Sequence, residues 1–179
     1  ETWSLDYVVT PGDPDEDKLW NLFGEEIQRK FVREDGVELV CSAGIVDAGY
    51  LPSRVFSFTG PRKKYNVYAA KGKSQYSGPL RGKGTWQGDK KTGRAIEFPV
   101  NTDEAKEIIM KRIAKTEPGA GYCHFPRHYN VEYFAQLVSE KKIAKRKAGV
   151  TVGHEWVKTR NRNEALDCRV ENLVAFSLN

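Results

Sequence analysis

Apolar segments that alternate between strand-like and helix-like spacing most constrain the fold of this 179-residue chain. Residues 37–46, 65–70 and 95–100 have the short, largely apolar character of buried strands. Apolar residues recur every three or four positions in 16–33, 52–58, 101–115, 131–140 and from 163 onward. Segment 3–10 alternates like a strand, and 141–157 is predicted to form a hairpin with its tip at 147–149. This order predicts the α/β class, with a mixed central sheet flanked by helices.

The helix that begins near Asn163 carries a carboxylate beside its apolar stripe. Asn163 is a favourable N-cap residue, and Glu164 suits the positive end of the helix dipole. Leu166 and Val170 follow at helical spacing, so Asp167 is predicted at the edge of the buried face. A carboxylate there is costly unless a cation or hydrogen bonds hold it, and a divalent metal ion is one such cation. A solvated or salt-bridged Asp167 is the alternative interpretation.

A second acid, Asp47, ends the predicted strand 37–46 and is followed closely by Gly49. Ligands of open α/β sheets bind at the carboxyl ends of strands, and glycine permits close backbone approach. The alternative is a turn residue that hydrogen-bonds its own backbone. Two carboxylates that meet, Asp47 and Asp167, would form a site for Mg²⁺ or Mn²⁺. Paired metal ions of this kind hydrolyse phosphodiesters.

Basic residues recur in the loops near the predicted strand ends, and the formal net charge is +5. Residues 72–94 are rich in glycine, lysine and arginine and are predicted to form a mobile basic loop or hairpin. Such loops favour contact with the phosphate backbone of double-stranded DNA. The candidate DNA-binding residues are Lys71, Lys73, Arg81, Lys83, Lys158, Arg160 and Arg162.

The cysteines and the hydropathy of the sequence indicate the cellular compartment expected for the protein. Cys41, Cys123 and Cys168 are far apart and odd in number, which favours free thiols in a reducing compartment. No apolar run is long enough to span a membrane, so no membrane partner is expected.

Short motifs follow one another in a characteristic order and spacing. They are Trp3-Ser4-Leu5-Asp6-Tyr7, Pro11-Gly12-Asp13-Pro14, Ile45-Val46-Asp47-Ala48-Gly49, Tyr68-Ala69-Ala70-Lys71-Gly72, Asn101-Thr102-Asp103-Glu104-Ala105-Lys106, residues 118–126, Glu155-Trp156-Val157-Lys158, and Arg162-Asn163-Glu164-Ala165-Leu166-Asp167-Cys168. Together they cover almost the whole chain. In this order the sequence resembles the nuclease domain of lambda-type phage terminase large subunits, the DNA-packaging and maturation proteins.

The resemblance implies an RNase H-like fold and metal-dependent cutting of concatemeric viral DNA during genome packaging. It matches Asp47 and Asp167 to catalytic acids of a two-metal site for Mg²⁺ or Mn²⁺. Glu164, Asp103 and His124 are candidates for side chains beside these acids. The alternatives are dipole complementarity for Glu164, a helix cap for Asp103 and packing for His124. The implied partners are double-stranded DNA, the terminase small subunit, the portal and the ATPase domain, in the host cytoplasm.

One departure from the family pattern bears on activity. The family's first metal-binding Asp lies on an opening strand, upstream of the segment that matches Trp3 to Tyr7. The chain is therefore expected to be a single nuclease domain over residues 1–179, N-terminally incomplete, that binds metal weakly and cuts poorly. The alternative function is a non-catalytic basic module for DNA binding or packaging interactions. No phosphate loop of the Walker type is found in the sequence.

Overall fold

A computed structural model describes residues 1–88 and 94–178, which form two compact units. The unit named here the hairpin unit comprises Glu1–Tyr7, Lys73–Leu80 and Asn101–Leu173. The other, the sheet unit, comprises the described parts of Val8–Gly72, Arg81–Val100 and Val174–Asn179. The expectation of a single domain over residues 1–179 stays a prediction.

Helices and strands alternate along the chain, as the α/β class requires. The helices are α1 (Asp17–Gln28), α2 (Pro52–Arg62), α3 (Thr102–Ile113), α4 (Val131–Leu137) and α5 (Glu164–Phe176). The strands are β1 (Thr2–Trp3), β2 (Phe31–Val32), β3 (Glu38–Leu39), β4 (Gly44–Asp47), β5 (Val67–Lys73), β6 (Thr85–Gln87), β7 (Ala95–Asn101), β8 (Cys123–His124), β9 (Glu140–Lys147) and β10 (Val150–Lys158). No helix in residues 1–88 or 94–178 has the length and apolar character needed to cross a lipid bilayer.

A mixed sheet with the strand order β4-β5-β7-β6 organises the sheet unit. β4 and β5 are parallel, with Asp47 opposite Ala70, whereas β6 and β7 are antiparallel. α2 packs on the parallel pair, since Val55 forms a buried cluster with Ala48 and Ala69. The small side chains on the sheet let the helix approach closely. The predicted α/β class with a mixed sheet is thus confirmed.

Part of the basic stretch 72–94 is structured, because β6 lies within it. The Gly82 N–H donates to the Pro99 carbonyl at 2.9 Å and continues the pairing with β7. Residues 89–93 lie outside the described residues. The predicted mobility of this stretch stays a prediction.

Two elements of the hairpin unit match the sequence closely. β9 and β10 pair antiparallel from Lys158–Glu140 to Val150–Lys147, and the turn falls at Ala148 and Gly149 as predicted. The Asn101 side chain accepts a hydrogen bond from the Glu104 N–H and caps α3, which confirms the predicted capping signal.

The predicted strand 3–10 and the predicted helix 16–33 are both wrong in extent. In the described residues the first segment pairs only at Thr2–Trp3, parallel to Cys123–His124, and Val9 beyond it is 64% exposed. The helix stops at Gln28 because Arg29 is extended, and Phe31–Val32 then pairs with Glu38–Leu39. Phe31 lies four residues after Ile27, which mimics helical spacing although it belongs to a hairpin.

The predicted strand 37–46 and helix 52–58 also differ from the structure. The strand is split into β3 and β4, because the intervening residues 40–43 leave the pairing. The helix runs on to Arg62 and includes Pro61 in its last turn. Because proline has no N–H, the helix lacks the hydrogen bond that residue 61 would otherwise donate to the Ser57 carbonyl.

Within the hairpin unit, Arg169 of α5 ties the first residues of the chain to β8. Its guanidinium donates to Ser4 Oγ at 2.7 Å, to Thr2 Oγ1 at 2.8 Å and to Cys123 Sγ at 3.2 Å. We expect Arg169→Ala to lower the free energy of unfolding by about 2 kcal/mol, because these hydrogen bonds are lost together. Arg169→Lys should recover only part of the loss, since an ammonium cannot span the same acceptors. Urea unfolding measures both, and equal stability of all three proteins would contradict this role.

Candidate functional site

Asp47 lies at the carboxyl end of β4 and is exposed. Its Oδ1 accepts a hydrogen bond from the Gly49 N–H at 2.9 Å, so the turn interpretation is realised. That bond uses one of roughly four lone-pair sites on an ionised carboxylate. The turn role and a ligand role for Asp47 are therefore compatible.

The loop after Asp47 is tightly shaped. A Cβ atom at Gly49 would lie 3.2 Å from Asp47 Oδ2 and 3.3 Å from Oδ1, so glycine keeps room for the carboxylate. Leu51, which precedes α2, has φ 48° and ψ 53°. This left-handed conformation costs a leucine about 1–2 kcal/mol. Strain of this kind is concentrated at functional sites, which marks the loop as a candidate.

Asp167 lies in the first turn of α5 and is exposed. Its N–H donates to the Asn163 carbonyl at 3.1 Å, which begins the helix. The neighbouring Cys168 has its pKa raised to about 11, first by desolvation of its sulfur and then by the Asp167 carboxylate. A thiol with that pKa stays protonated at neutral pH and is not a nucleophile.

The buried stripe of α5 is confirmed at Leu166, Val170 and Val174. Asn163 begins the helix as predicted, since its carbonyl accepts from the Leu166 N–H at 2.9 Å, and its side-chain Oδ1 accepts from Lys158 Nζ at 2.8 Å. Glu164, at the start of the helix, pairs with Arg162 at 3.3 Å, and both side chains are exposed.

The carboxylates of Asp47 and Asp167 are of the right chemical type to bind Mg²⁺ or Mn²⁺, but the described residues do not group enough ligands for a metal site. Carboxylate oxygens are the ligands these hard cations prefer. Within residues 1–88 and 94–178, however, no group of three or more His, Cys, Asp or Glu side chains is placed to hold a metal ion. Asp47 belongs to the sheet unit and Asp167 to the hairpin unit. Their meeting in one metal site stays a prediction.

Asp103 and His124 make other contacts in the hairpin unit. Asp103 Oδ2 accepts from the Gln75 N–H at 2.7 Å and so holds the segment that follows β5. The His124 ring stacks on Trp3, with centroids 4.6 Å apart, and its Nε2 lies 3.1 Å from a Glu1 carboxylate oxygen. Both contacts organise backbone segments, and a role beside a metal site stays a prediction for each residue.

The candidate DNA-binding residues differ in how firmly they are held. Lys71 and Lys83 are exposed. The other five have protein contacts: Lys73 lies over the Tyr76 ring, Arg81 donates to Ser177, Lys158 to Asn163, Arg160 to Glu132 and Arg162 to Glu164. Contact with DNA stays a prediction for all seven.

A buried polar network at the start of β9 was not predicted from the sequence. The Glu140 carboxylate pairs with Lys106 Nζ at 2.7 Å and accepts from Asn163 Nδ2 at 3.0 Å. The Glu140 side chain is only 3% exposed. The sequence signal is weak: Glu140 follows an apolar helix, but nothing in the pattern indicates its partners.

Comparison with known families assigns the chain to the nuclease domains. Residues 1–179 match the family described as "Terminase large subunit gpA, endonuclease domain", and the chain belongs to that family. The predicted family is thus confirmed.

Curated relatives agree with this family. The terminase large subunit of Escherichia phage lambda is 28% identical over 186 residues, which cover 99% of this chain and 28% of the relative. That of Enterobacteria phage P21 is 27% identical over 180 residues, covering 95% and 27%. The chain therefore spans little more than a quarter of these relatives' length. No solved structure matches, and the RNase H-like fold stays a prediction.

Proposed function

We propose that this chain is a Mg²⁺- or Mn²⁺-dependent DNA endonuclease domain that cuts concatemeric viral DNA during genome packaging. The observation that carries the proposal is the exposed Asp47 carboxylate at the end of a parallel strand, in a chain that matches an endonuclease family over residues 1–179. Strand ends of this kind are the usual ligand sites of α/β sheets.

The proposal gives the chain's own residues two tasks. Asp47 and Asp167 would hold the cations, and Lys71 with Lys83 would hold the phosphate backbone through exposed ammonium groups. When bound, paired divalent ions lower the pKa of water and stabilise the leaving oxygen of a phosphodiester. Backbone contacts carry no sequence information, so recognition of a packaging site is assigned to a partner.

The first test is a supercoiled-plasmid nicking assay with Mn²⁺, Mg²⁺ and EDTA, run on this chain and on its Asp167→Ala variant. We expect nicking that requires the metal ion and is lost in the variant. Circular dichroism and urea unfolding show whether the variant remains folded. Nicking that persists in EDTA, or that is equal in the two folded proteins, would contradict the proposal.

A second function is favoured by the absence of a three-ligand group among the described residues. In this alternative the chain is a non-catalytic basic module that binds DNA or packaging partners. It predicts salt-sensitive DNA binding, no metal-dependent nicking and no effect of Asp47→Ala. The nicking assay therefore distinguishes the two functions.

The setting follows from the same family. We propose that the chain acts in the host cytoplasm beside an ATPase domain, with the terminase small subunit and the portal as partners. Free thiols at Cys41, Cys123 and Cys168 are compatible with a reducing compartment.

Gly49 offers a test of the space around Asp47. We expect Gly49→Ala to lower the metal-dependent nicking rate roughly tenfold, because the added Cβ forces the carboxylate to turn, as for groups that orient metal ligands. The matched control is Gly44→Ala at the start of β4, where the new Cβ meets Val67 at an ordinary 3.5 Å. Equal nicking by the two variants would contradict a role for the Asp47 geometry.

A further inference from the structure

The hairpin of β9 and β10 presents its distal part to solvent on both faces. Residues 141–152 are all exposed, including Val150 at 66% and Val152 at 58%. At about 3.3 Å per residue, an eight-residue strand extends roughly 26 Å. An isolated two-stranded ribbon is marginally stable in water. Burial of these exposed apolar side chains by a partner would therefore stabilise the hairpin.

The base of this hairpin is held firmly within its own unit. Glu140 at the start of β9 is buried against Lys106 and Asn163, and Lys158 at the end of β10 donates to Asn163. Lys142 pairs with Glu107 of α3 at 2.8 Å. The hydrogen bond from Lys142 has the largest effect on the Glu107 carboxylate and the one from Lys111 the next largest. Together they lower the pKa of Glu107 to about 2. The ribbon thus extends from a rigid base.

The tip of the hairpin is strongly basic. Lys145, Arg146 and Lys147 are consecutive and exposed, and the nearest acid on the ribbon, Glu155, lies 4.0 Å from Lys145. The two-residue turn at Ala148 and Gly149 has φ values of 48° and 81°, the type I′ geometry that suits twisted strands. A twisted basic ribbon of two strands matches the width of the DNA major groove.

We infer that the β9–β10 hairpin is a DNA-binding arm whose Lys145, Arg146 and Lys147 contact backbone phosphates of duplex DNA. The inference rests on the proposed function for its choice of duplex DNA as the partner. Val150 and Val152 are exposed at the same end of the ribbon. Asn163 joins the base of the hairpin to the first turn of α5, so DNA on the arm is held near the helix that carries Asp167.

The test measures binding without cutting. Fluorescence anisotropy in EDTA follows the binding of a labelled 30-base-pair duplex by the full chain at several salt concentrations. In the arm variant Lys145, Arg146 and Lys147 are all replaced by Gln. The control variant makes the same charge change at the exposed Lys18, Lys30 and Arg33 of the sheet unit.

We expect the arm variant to lower the slope of log affinity against log salt by about 2 to 3, because each phosphate contact contributes about 0.9. The control variant should keep the wild-type slope within about 1. Hydrogen exchange should also show that duplex DNA protects the amides of β9 and β10 in the wild type. Equal slopes for the two variants, unprotected hairpin amides, or tighter binding to anionic lipid vesicles than to DNA would overturn the inference.

Failure of the proposed function is distinguishable from failure of this inference. Wild-type protein that neither binds nor nicks DNA would remove both. Wild-type protein that nicks DNA, together with an arm variant that binds as the control does, would overturn the arm alone.

Discussion

Replacing Asp47 with asparagine is expected to lower the rate of metal-dependent DNA nicking by about a thousandfold, since metal-ion stabilisation is worth several kcal/mol. The amide of asparagine keeps an oxygen that accepts the Gly49 N–H, so the turn at the end of β4 survives. The substitution removes the negative charge of the Asp47 side chain, and hard cations bind charged carboxylate ligands most strongly. The free energy of unfolding is expected to change by less than about 0.5 kcal/mol, as for ordinary surface substitutions.

The control for this substitution is Asp35→Asn. Asp35 is also exposed and accepts a backbone hydrogen bond two residues ahead, from Val37 at 3.2 Å. Its ion pair with Arg33 is solvent-exposed, and such pairs contribute little. We expect Asp35→Asn to nick plasmid at the wild-type rate. Undiminished nicking by Asp47→Asn would remove Asp47 from the catalytic site, whereas a folded wild type that does not nick would favour the non-catalytic alternative.

The sequence predicted elements whose signals are local. The capping of α3 needs only Asn101 and Glu104, three residues apart, and the hairpin tip needs only Ala148 and Gly149 between two strand patterns. The end of β4 at Asp47 was predicted for the same reason, since an apolar run stops at a turn signal. Each of these features depends on a few neighbouring residues.

Errors arose where pairing across the chain decides the structure. Trp3 and Val9 alternate as in a strand, yet only Thr2–Trp3 has a partner strand among the described residues. Phe31 follows the helical spacing of α1 and nevertheless pairs with Leu39. Periodicity reports which residues prefer burial, whereas the partner that buries them is set by the tertiary fold.

The same limit applies to the candidate site. The positions of Asp47 at a strand end and of Asp167 in the first turn of a helix were predicted correctly, whereas their role in a site stays a prediction. The side-chain partners of Asn163 were not predicted, because its Nδ2 donates to Glu140, a residue 23 positions earlier. A hydrogen bond to a buried charged group is worth about 1.5–3 kcal/mol, and no local pattern indicates such a partner.

The Lys106–Glu140 pair that holds Asn163 should be the most sensitive point for stability among the described ion pairs. We expect Glu140→Ala to lower the free energy of unfolding by about 3–5 kcal/mol, because it leaves a poorly solvated ammonium without its partner. The two side chains are only 14% and 3% exposed. The exposed pair of Lys111 with Glu107 is the control, and Lys111→Met should cost less than about 0.5 kcal/mol.

A double variant distinguishes the contribution of the two charges to stability from the contribution of side-chain packing. Lys106→Met with Glu140→Leu removes both charges and keeps the volume, so it should be more stable than Glu140→Ala by about 2 kcal/mol or more. Urea unfolding of the four proteins gives these differences. If Glu140→Ala lowers the free energy of unfolding no more than Lys111→Met does, the buried pair does not stabilise the start of α5. Because Asn163 begins that helix, loss of the pair should also reduce nicking through Asp167, in Glu140→Ala and in the double variant alike.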